Sequence, residues 1–172
     1  MEYREQVAEV LATAQFGNLI EFCYPIGYSH WGVYDGEGYV IHFAVADETQ
    51  LMSHVRGFLQ KLFPVCGDLL LGSTKIRRML LSEIPVPKGA HVLISNDSHG
   101  QSALTEDEMR HRRDALLGKE LSYKLLTFNC EHFATFIRYG RCVCNQIPGK
   151  AENTECEEAT RAFDQIVAKY YT

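Results

Sequence analysis

The stretch from Ser29 to Phe43 constrains this chain more than any other. Ser29-His30-Trp31-Gly32-Val33-Tyr34 and Tyr39-Val40-Ile41-His42-Phe43 are rich in aromatic and β-branched residues, and both read as strands. Asp35-Gly36-Glu37-Gly38 between them is a strong turn signal. The segment is therefore a β-hairpin with a histidine near each open end. Side chains alternate across a strand, so the loop decides whether the two histidines share a face. A two-residue Gly36-Glu37 loop would pair His42 with Trp31 and put the histidines on opposite faces. A three-residue loop, or one bulge, would set His30 directly opposite His42. An irregular hairpin is therefore expected if His30 and His42 act together.

Residues 2–14 read as a short helix that Gly17 breaks, and Asn18 to Cys23 as a first strand before the turn at Pro25 and Gly27. Residues 51–63 place Leu51, Val55, Phe58, Leu59, Leu62 and Phe63 on one stripe, which predicts an amphipathic helix. Residues 64–90 carry Pro64, Pro85, Pro87 and several glycines and give no clear element. His91-Val92-Leu93-Ile94 reads as a short strand. Thr105 and Glu108 have capping-box spacing for a helix running to about Leu117, with Gly118 as its stop. Residues 130–138 predict a helix ended by Gly140. A last amphipathic helix over about 154–170 opens with Thr154 and Glu157, its stripe being Ala162, Phe163, Ile166, Val167 and Tyr170.

Cys130 falls at the start of the second-to-last of these helices, after Asn129, a favourable N-cap residue. A first-turn cysteine lies at the positive end of the macrodipole, near free N–H groups. A free thiol titrates near about 8.5, and the thiolate is the attacking species. A helix N-terminus with a nearby imidazolium is expected to lower that value; lowering it by about 2 is worth roughly 2.7 kcal/mol. N–H groups of the same turn are also candidate oxyanion donors. Taken alone, Cys130 reads more readily as a small buried hydrophobe than as a nucleophile. A nucleophile needs a base and a group that orients the base, and His30 and His42 on neighbouring strands are the candidates for those two groups. His132 points away from Cys130 around the helix and reads as packed or hydrogen-bonded. His54, His91, His99 and His111 lie in polar contexts that suggest no chemistry.

The 172 residues are 46% hydrophobic and 23% charged, which suits one globular domain with a real core. A net charge of −5 argues against a nucleic-acid binder. The basic runs Lys75, Arg77, Arg78 and Arg110, Arg112, Arg113 read as solvated faces. Six cysteines without an N-terminal apolar signal core imply reduced thiols and a cytoplasmic chain. Cys142-x-Cys144 lacks the spacing of a zinc knuckle, so neither metal nor cofactor is expected. No apolar run approaches the roughly 18 residues that cross a bilayer. A peripheral association with intracellular membranes is compatible with this, as is an anchor if the natural chain extends beyond Thr172.

At these residues the sequence resembles a known family. Ser-His-Trp-Gly-Val-Tyr at 29–34, Tyr-Val-Ile-His-Phe-Ala at 39–44 and Asn-Cys-Glu-His-Phe at 129–133 look like signature blocks of the lecithin retinol acyltransferase family, which includes the HRAS-like suppressor phospholipases and acyltransferases. Gly-Asn-Leu-Ile-Glu at 17–21 and Arg-Tyr-Gly at 138–140 also fit, giving a core of about 17–140 within a single catalytic domain over 1–172. The resemblance implies an α+β, permuted papain-like fold related to NlpC-type peptidases. An antiparallel sheet packs against helices there, and the nucleophile sits at a helix N-terminus. It implies Cys130 as nucleophile, His30 as base and His42 as orienting residue, with a thioester acyl-enzyme. The acyl donor would be a phospholipid, and the acceptor water, an amine, a lysophospholipid or retinol. Members often carry a C-terminal membrane-spanning helix, and this sequence shows none. A retinol acyltransferase, a cysteine peptidase or amidase, and a non-enzymatic interaction module are the alternatives.

Overall fold

A computed structural model describes residues 1–44, 70–125, 127–145 and 154–172. Six strands form one sheet: β1 (Leu19–Cys23), β2 (Ser29–Gly36), β3 (Tyr39–Ala44), β4 (Leu70–Leu80), β5 (His91–Ile94) and β6 (Glu120–Lys124). Their order is β5-β1-β2-β3-β4-β6, and every neighbouring pair is antiparallel. Among the described residues, four α-helices accompany them: α1 (Tyr3–Thr13), α2 (Glu106–Leu116), α3 (Cys130–Tyr139) and α4 (Thr154–Tyr170). This is an α+β arrangement with an antiparallel sheet packed against helices. The amphipathic helix expected at 51–63 lies outside the described residues, as do His54 and Cys66. Among the described residues, no helix is long and apolar enough to cross a membrane.

The hairpin of β2 and β3 is irregular, as the two histidines require. Gly32 stands opposite His42, Val33 opposite Ile41 and Tyr34 opposite Val40, but Gly36 then pairs with Tyr39. Asp35 is the extra residue of a bulge. Glu37 (φ 54°) and Gly38 (φ 87°) form the two-residue turn, and two positive φ angles are what a type I′ hairpin turn needs. The register differs from direct pairing of the histidines. His42 faces Gly32, two residues along from His30, so the histidines are diagonal neighbours on one face rather than opposite each other. Diagonal side chains of this length can still meet.

The bulge is held by charge. Asp35 accepts from Arg78 Nε at 2.6 Å and from Arg113 Nη1 at 2.7 Å, and its side chain is only 4% exposed. These two members of the basic runs are therefore not simple solvated residues. They clamp β4 and α2 on to the turn that sets the histidine register.

Gly32 is required by close approach rather than by its φ. A Cβ there would lie 2.5 Å from Val40 Cγ1, 3.1 Å from the Ile41 carbonyl oxygen and 3.3 Å from His42 Cβ. Gly32→Ala is expected to destabilise the chain by about 1–3 kcal/mol, the usual cost of overpacking. A urea midpoint equal to wild type would show that β3 can move aside.

Helix α3 is the centre of the molecule. It buries every residue except Arg138, including the polar Glu131, His132 and Thr135, whose side chains are hydrogen-bonded. Gly140 (φ 78°) ends it in the left-handed conformation. Phe43 of β3 packs on Tyr123 (4.9 Å between centroids) and Phe128 (5.6 Å). Phe163 of α4 stacks on Phe128 (4.6 Å) and on Phe136 of α3 (5.1 Å). This aromatic run joins two strands, two helices and the turn leading into Cys130. The face that α4 buries is Cys156, Ala159 and Phe163, with Ile166 and Val167 packed beside it. Ala159, not Ala162, lies on the core side.

Candidate active site

His30 and His42 are each about 1% exposed. His30 Nε2 lies 2.7 Å from His42 Nδ1, with the rings edge-on at 79°. Burial, then the neighbouring His30 and Arg77, holds the His42 pKa well below its ordinary value, so His42 is neutral. Its other nitrogen, Nε2, lies 3.2 Å from Met79 Sδ. A thioether sulfur has no hydrogen and can only accept, so His42 carries its proton on Nε2. Nδ1 is then an acceptor, and His30 must donate to it from Nε2. A neutral His30 so arranged has its lone pair on Nδ1. The His30–His42 bond thus also fixes which nitrogen of a neutral His30 carries the lone pair.

Cys130 is the first residue of α3 and is fully buried. Its sulfur lies 3.6 Å from the Tyr28 hydroxyl, which in turn lies 3.1 Å from the Tyr123 hydroxyl. Tyr28 stands just before His30 in sequence. The thiol therefore lies against the same stretch of chain that carries the candidate base.

The thiol is not in the depressed state that the sequence suggests. Burial pushes its pKa up to about 11, opposed by the donors from Tyr123, Tyr28 and Trp31. The helix N-terminus does not offset this burial. The Cys130 N–H donates to Tyr123 Oη at 3.2 Å, and the Glu131 and His132 N–H groups both donate to Asn129 Oδ1, at 3.0 and 3.1 Å. The N–H groups expected to hold an anion are already bonded within the fold. At rest the site holds a protonated thiol and a neutral His42.

Asn129 secures this end of α3 with all of its polar atoms. Nδ2 donates to the Leu125 carbonyl at 2.7 Å, and the main-chain N–H donates to His132 Nδ1 at 3.1 Å. His132 is thus part of a reciprocal cap, as its position away from the sulfur implied. Its Nε2 lies 3.7 Å from Cys156 Sγ.

Four further residues border the site without having been singled out from the sequence. Tyr28 has a signal in retrospect, since it precedes His30 by two residues and shares its parity along the strand. Tyr123 has none, because only the fold of β6 brings it back to Cys130. Glu131 and His99 form a buried pair at 2.7 Å, side chains 1% and 0% exposed, with the Asn145 N–H also donating to Glu131. The His99 ring lies 4.8 Å from Trp31. This pair anchors the first turn of α3 to the loop after β5.

A family model described as lecithin retinol acyltransferase matches residues 12–143. Phospholipase A and acyltransferase 2 of Homo sapiens is 33% identical over 137 residues, covering 78% of this chain and 76% of that protein. Phospholipase A and acyltransferase 1 of Homo sapiens is 31% identical over 130 residues, covering 76% and 70%. Phospholipase A and acyltransferase 4 of Homo sapiens is 30% identical over 136 residues, covering 76% and 73%. The match takes in β1 to β3, α2 and all of α3, and so includes His30, His42 and Cys130. The chain belongs to the lecithin retinol acyltransferase family.

Proposed function

We propose that this chain is a thiol-dependent phospholipid acyltransferase and phospholipase A that works at a membrane surface through a Cys130 thioester. In this reading residues 1–172 are one catalytic domain of permuted papain-like type, with the histidine strands preceding the cysteine helix. The observation that carries it is the 2.7 Å bond from His30 of β2 to His42 of β3, beside the stretch of chain against which Cys130 lies. The names of the relatives support phospholipid as the acyl donor.

The chemistry follows from the resting protonation states. His30 Nδ1 takes the Cys130 proton as the sulfur attacks the ester carbonyl, so no free thiolate has to persist. The Tyr28 hydroxyl, 3.6 Å from the sulfur, stabilises the charge that develops there during this transfer. Collapse of the tetrahedral intermediate breaks the ester bond, and His30 returns the proton to the departing lysophospholipid. The acyl group remains on Cys130. His30 then deprotonates the acceptor. Water yields a fatty acid; an amine, a lysophospholipid or retinol yields a transfer product.

Incubation with phosphatidylcholine should add one acyl mass to the intact protein, located on Cys130, and Cys130→Ala should show neither adduct nor product. Product formed by Cys130→Ala would sink the reading. Peptide turnover without phospholipid turnover would favour a peptidase, and retinol as sole productive acceptor would identify a retinol acyltransferase.

A further inference from the structure

The Tyr123 hydroxyl is closed to solvent and touches groups of the candidate site on two sides. The Cys130 N–H donates to Tyr123 Oη at 3.2 Å. Tyr123 Oη lies 3.1 Å from Tyr28 Oη, and Tyr28 Oη lies 3.6 Å from Cys130 Sγ. Followed in that order, the contacts leave Cys130 at its main-chain nitrogen and return to it at its sulfur. A phenol has one proton to give and lone pairs to receive. Tyr123 accepts the N–H and can pass its own proton toward Tyr28, which leaves the Tyr28 proton for the sulfur.

We propose that Tyr123 is a positioning residue for Cys130, closing a ring of hydrogen bonds that fixes the nucleophile's main chain and turns the Tyr28 hydroxyl on to its sulfur. This rests on Cys130 being the nucleophile, but not on which acyl donor it uses. Three observations support it. The Tyr123 side chain cannot swing aside, because it is fully buried with its ring against Phe43 at 4.9 Å. Both phenols stay protonated, since burial raises each pKa well above the ordinary value, so they remain donors whenever the sulfur gains charge. The ring is also cyclic, and hydrogen bonds in such an array polarise one another in the low-dielectric interior. A purely packing role for Tyr123 predicts something different, because phenylalanine would fill the same space.

The test uses the full chain and measures Cys130 alkylation by iodoacetamide against pH, quantified by peptide mass spectrometry. Tyr123→Phe and Tyr28→Phe are each expected to raise the midpoint by about one pH unit, or about tenfold less thiolate at a given pH. The double variant should shift no further than the larger single, because both substitutions cut the same ring. With phosphatidylcholine, Tyr123→Phe should lower kcat about tenfold and leave KM unchanged. A wild-type midpoint in Tyr123→Phe, or additive shifts in the double variant, overturns the proposal. Should Tyr123→Phe fail to fold, Tyr28→Phe gives the same readout from the sulfur-facing end, and an unshifted midpoint there is equally fatal. If the midpoints shift while wild type turns over no phospholipid, the ring stands and the phospholipid reading falls. If phospholipid is turned over and the midpoints do not move, the reverse holds.

Discussion

His30→Ala is expected to lower kcat/KM for phosphatidylcholine by about 10³–10⁴, near the top of the range for loss of a positioned general base. The size of the effect follows from the resting thiol. With burial holding Cys130 at a pKa of about 11, almost no thiolate exists at neutral pH, and attack depends on a base that removes the proton as the bond forms. An enzyme with a preformed thiolate would lose less. His42→Ala should cost less, about 10², because the base remains but its ring is no longer held with Nδ1 as the lone-pair nitrogen. The conservative variant separates these roles. His42→Asn keeps an oxygen acceptor where Nδ1 accepts from His30, and it should recover much of the loss in kcat, whereas His42→Ala should not. Steady-state kinetics on the three variants checks this. His30→Ala within tenfold of wild type would remove His30 from the chemistry, and equal rates for His42→Asn and His42→Ala would show that acceptance at that position is not what His42 contributes.

The hairpin and the ends of the helices were legible in the sequence for a common reason: their signals are local. Thr105 and Glu108 form the reciprocal cap that their spacing predicted, and Gly118 and Gly140 adopt the positive φ of helix stops. His91–Ile94 is a strand as read. The parity argument also held in its essential demand, since a bulge places both histidines on one face. It failed in direction: the extra residue, Asp35, moves the register so that Gly32 rather than His30 faces His42. Nothing local encodes that choice, which depends on Arg78 and Arg113 reaching Asp35 from β4 and α2. Strand β4 itself was hidden for a related reason. Its buried Thr74 and Ile76 alternate with Lys75 and Arg77, but the adjacent Arg77 and Arg78 break the pattern and suggest a solvated surface. The thiol environment was misread because the sequence does not show how completely Cys130 is buried, which raises its pKa, and because a helix N-terminus was assumed to have free N–H groups. Asn129 and Tyr123 consume them, and the second of these partners becomes visible only once β6 folds back.

Acid should destabilise this chain well before its carboxylates are fully protonated. His132 is the reason: burial lowers its pKa to about 4, against about 6.5 when unfolded. Above pH 6.5 it is neutral in both states and contributes no pH dependence. Between pH 6.5 and 4 the unfolded chain binds a proton that the folded chain refuses, so unfolding becomes easier by about 1.4 kcal/mol per pH unit. Near pH 4 the accumulated loss approaches roughly 3 kcal/mol, a large part of the 5–15 kcal/mol typical of a domain. His42, whose pKa is also held well below normal, adds in the same direction. The structural consequence is local. His132 Nδ1 accepts the Asn129 N–H, and a protonated ring cannot accept, so the cap on α3 opens at the residue before Cys130. Urea unfolding at pH 7 and pH 4 reads this directly. In His132→Asn the amide oxygen can still accept that N–H but does not titrate, so its acid loss should be smaller than wild type's by roughly 3 kcal/mol. Equal losses in the two proteins would mean that protonation of His132 does not limit stability, and that the acid sensitivity of this end of α3 arises elsewhere.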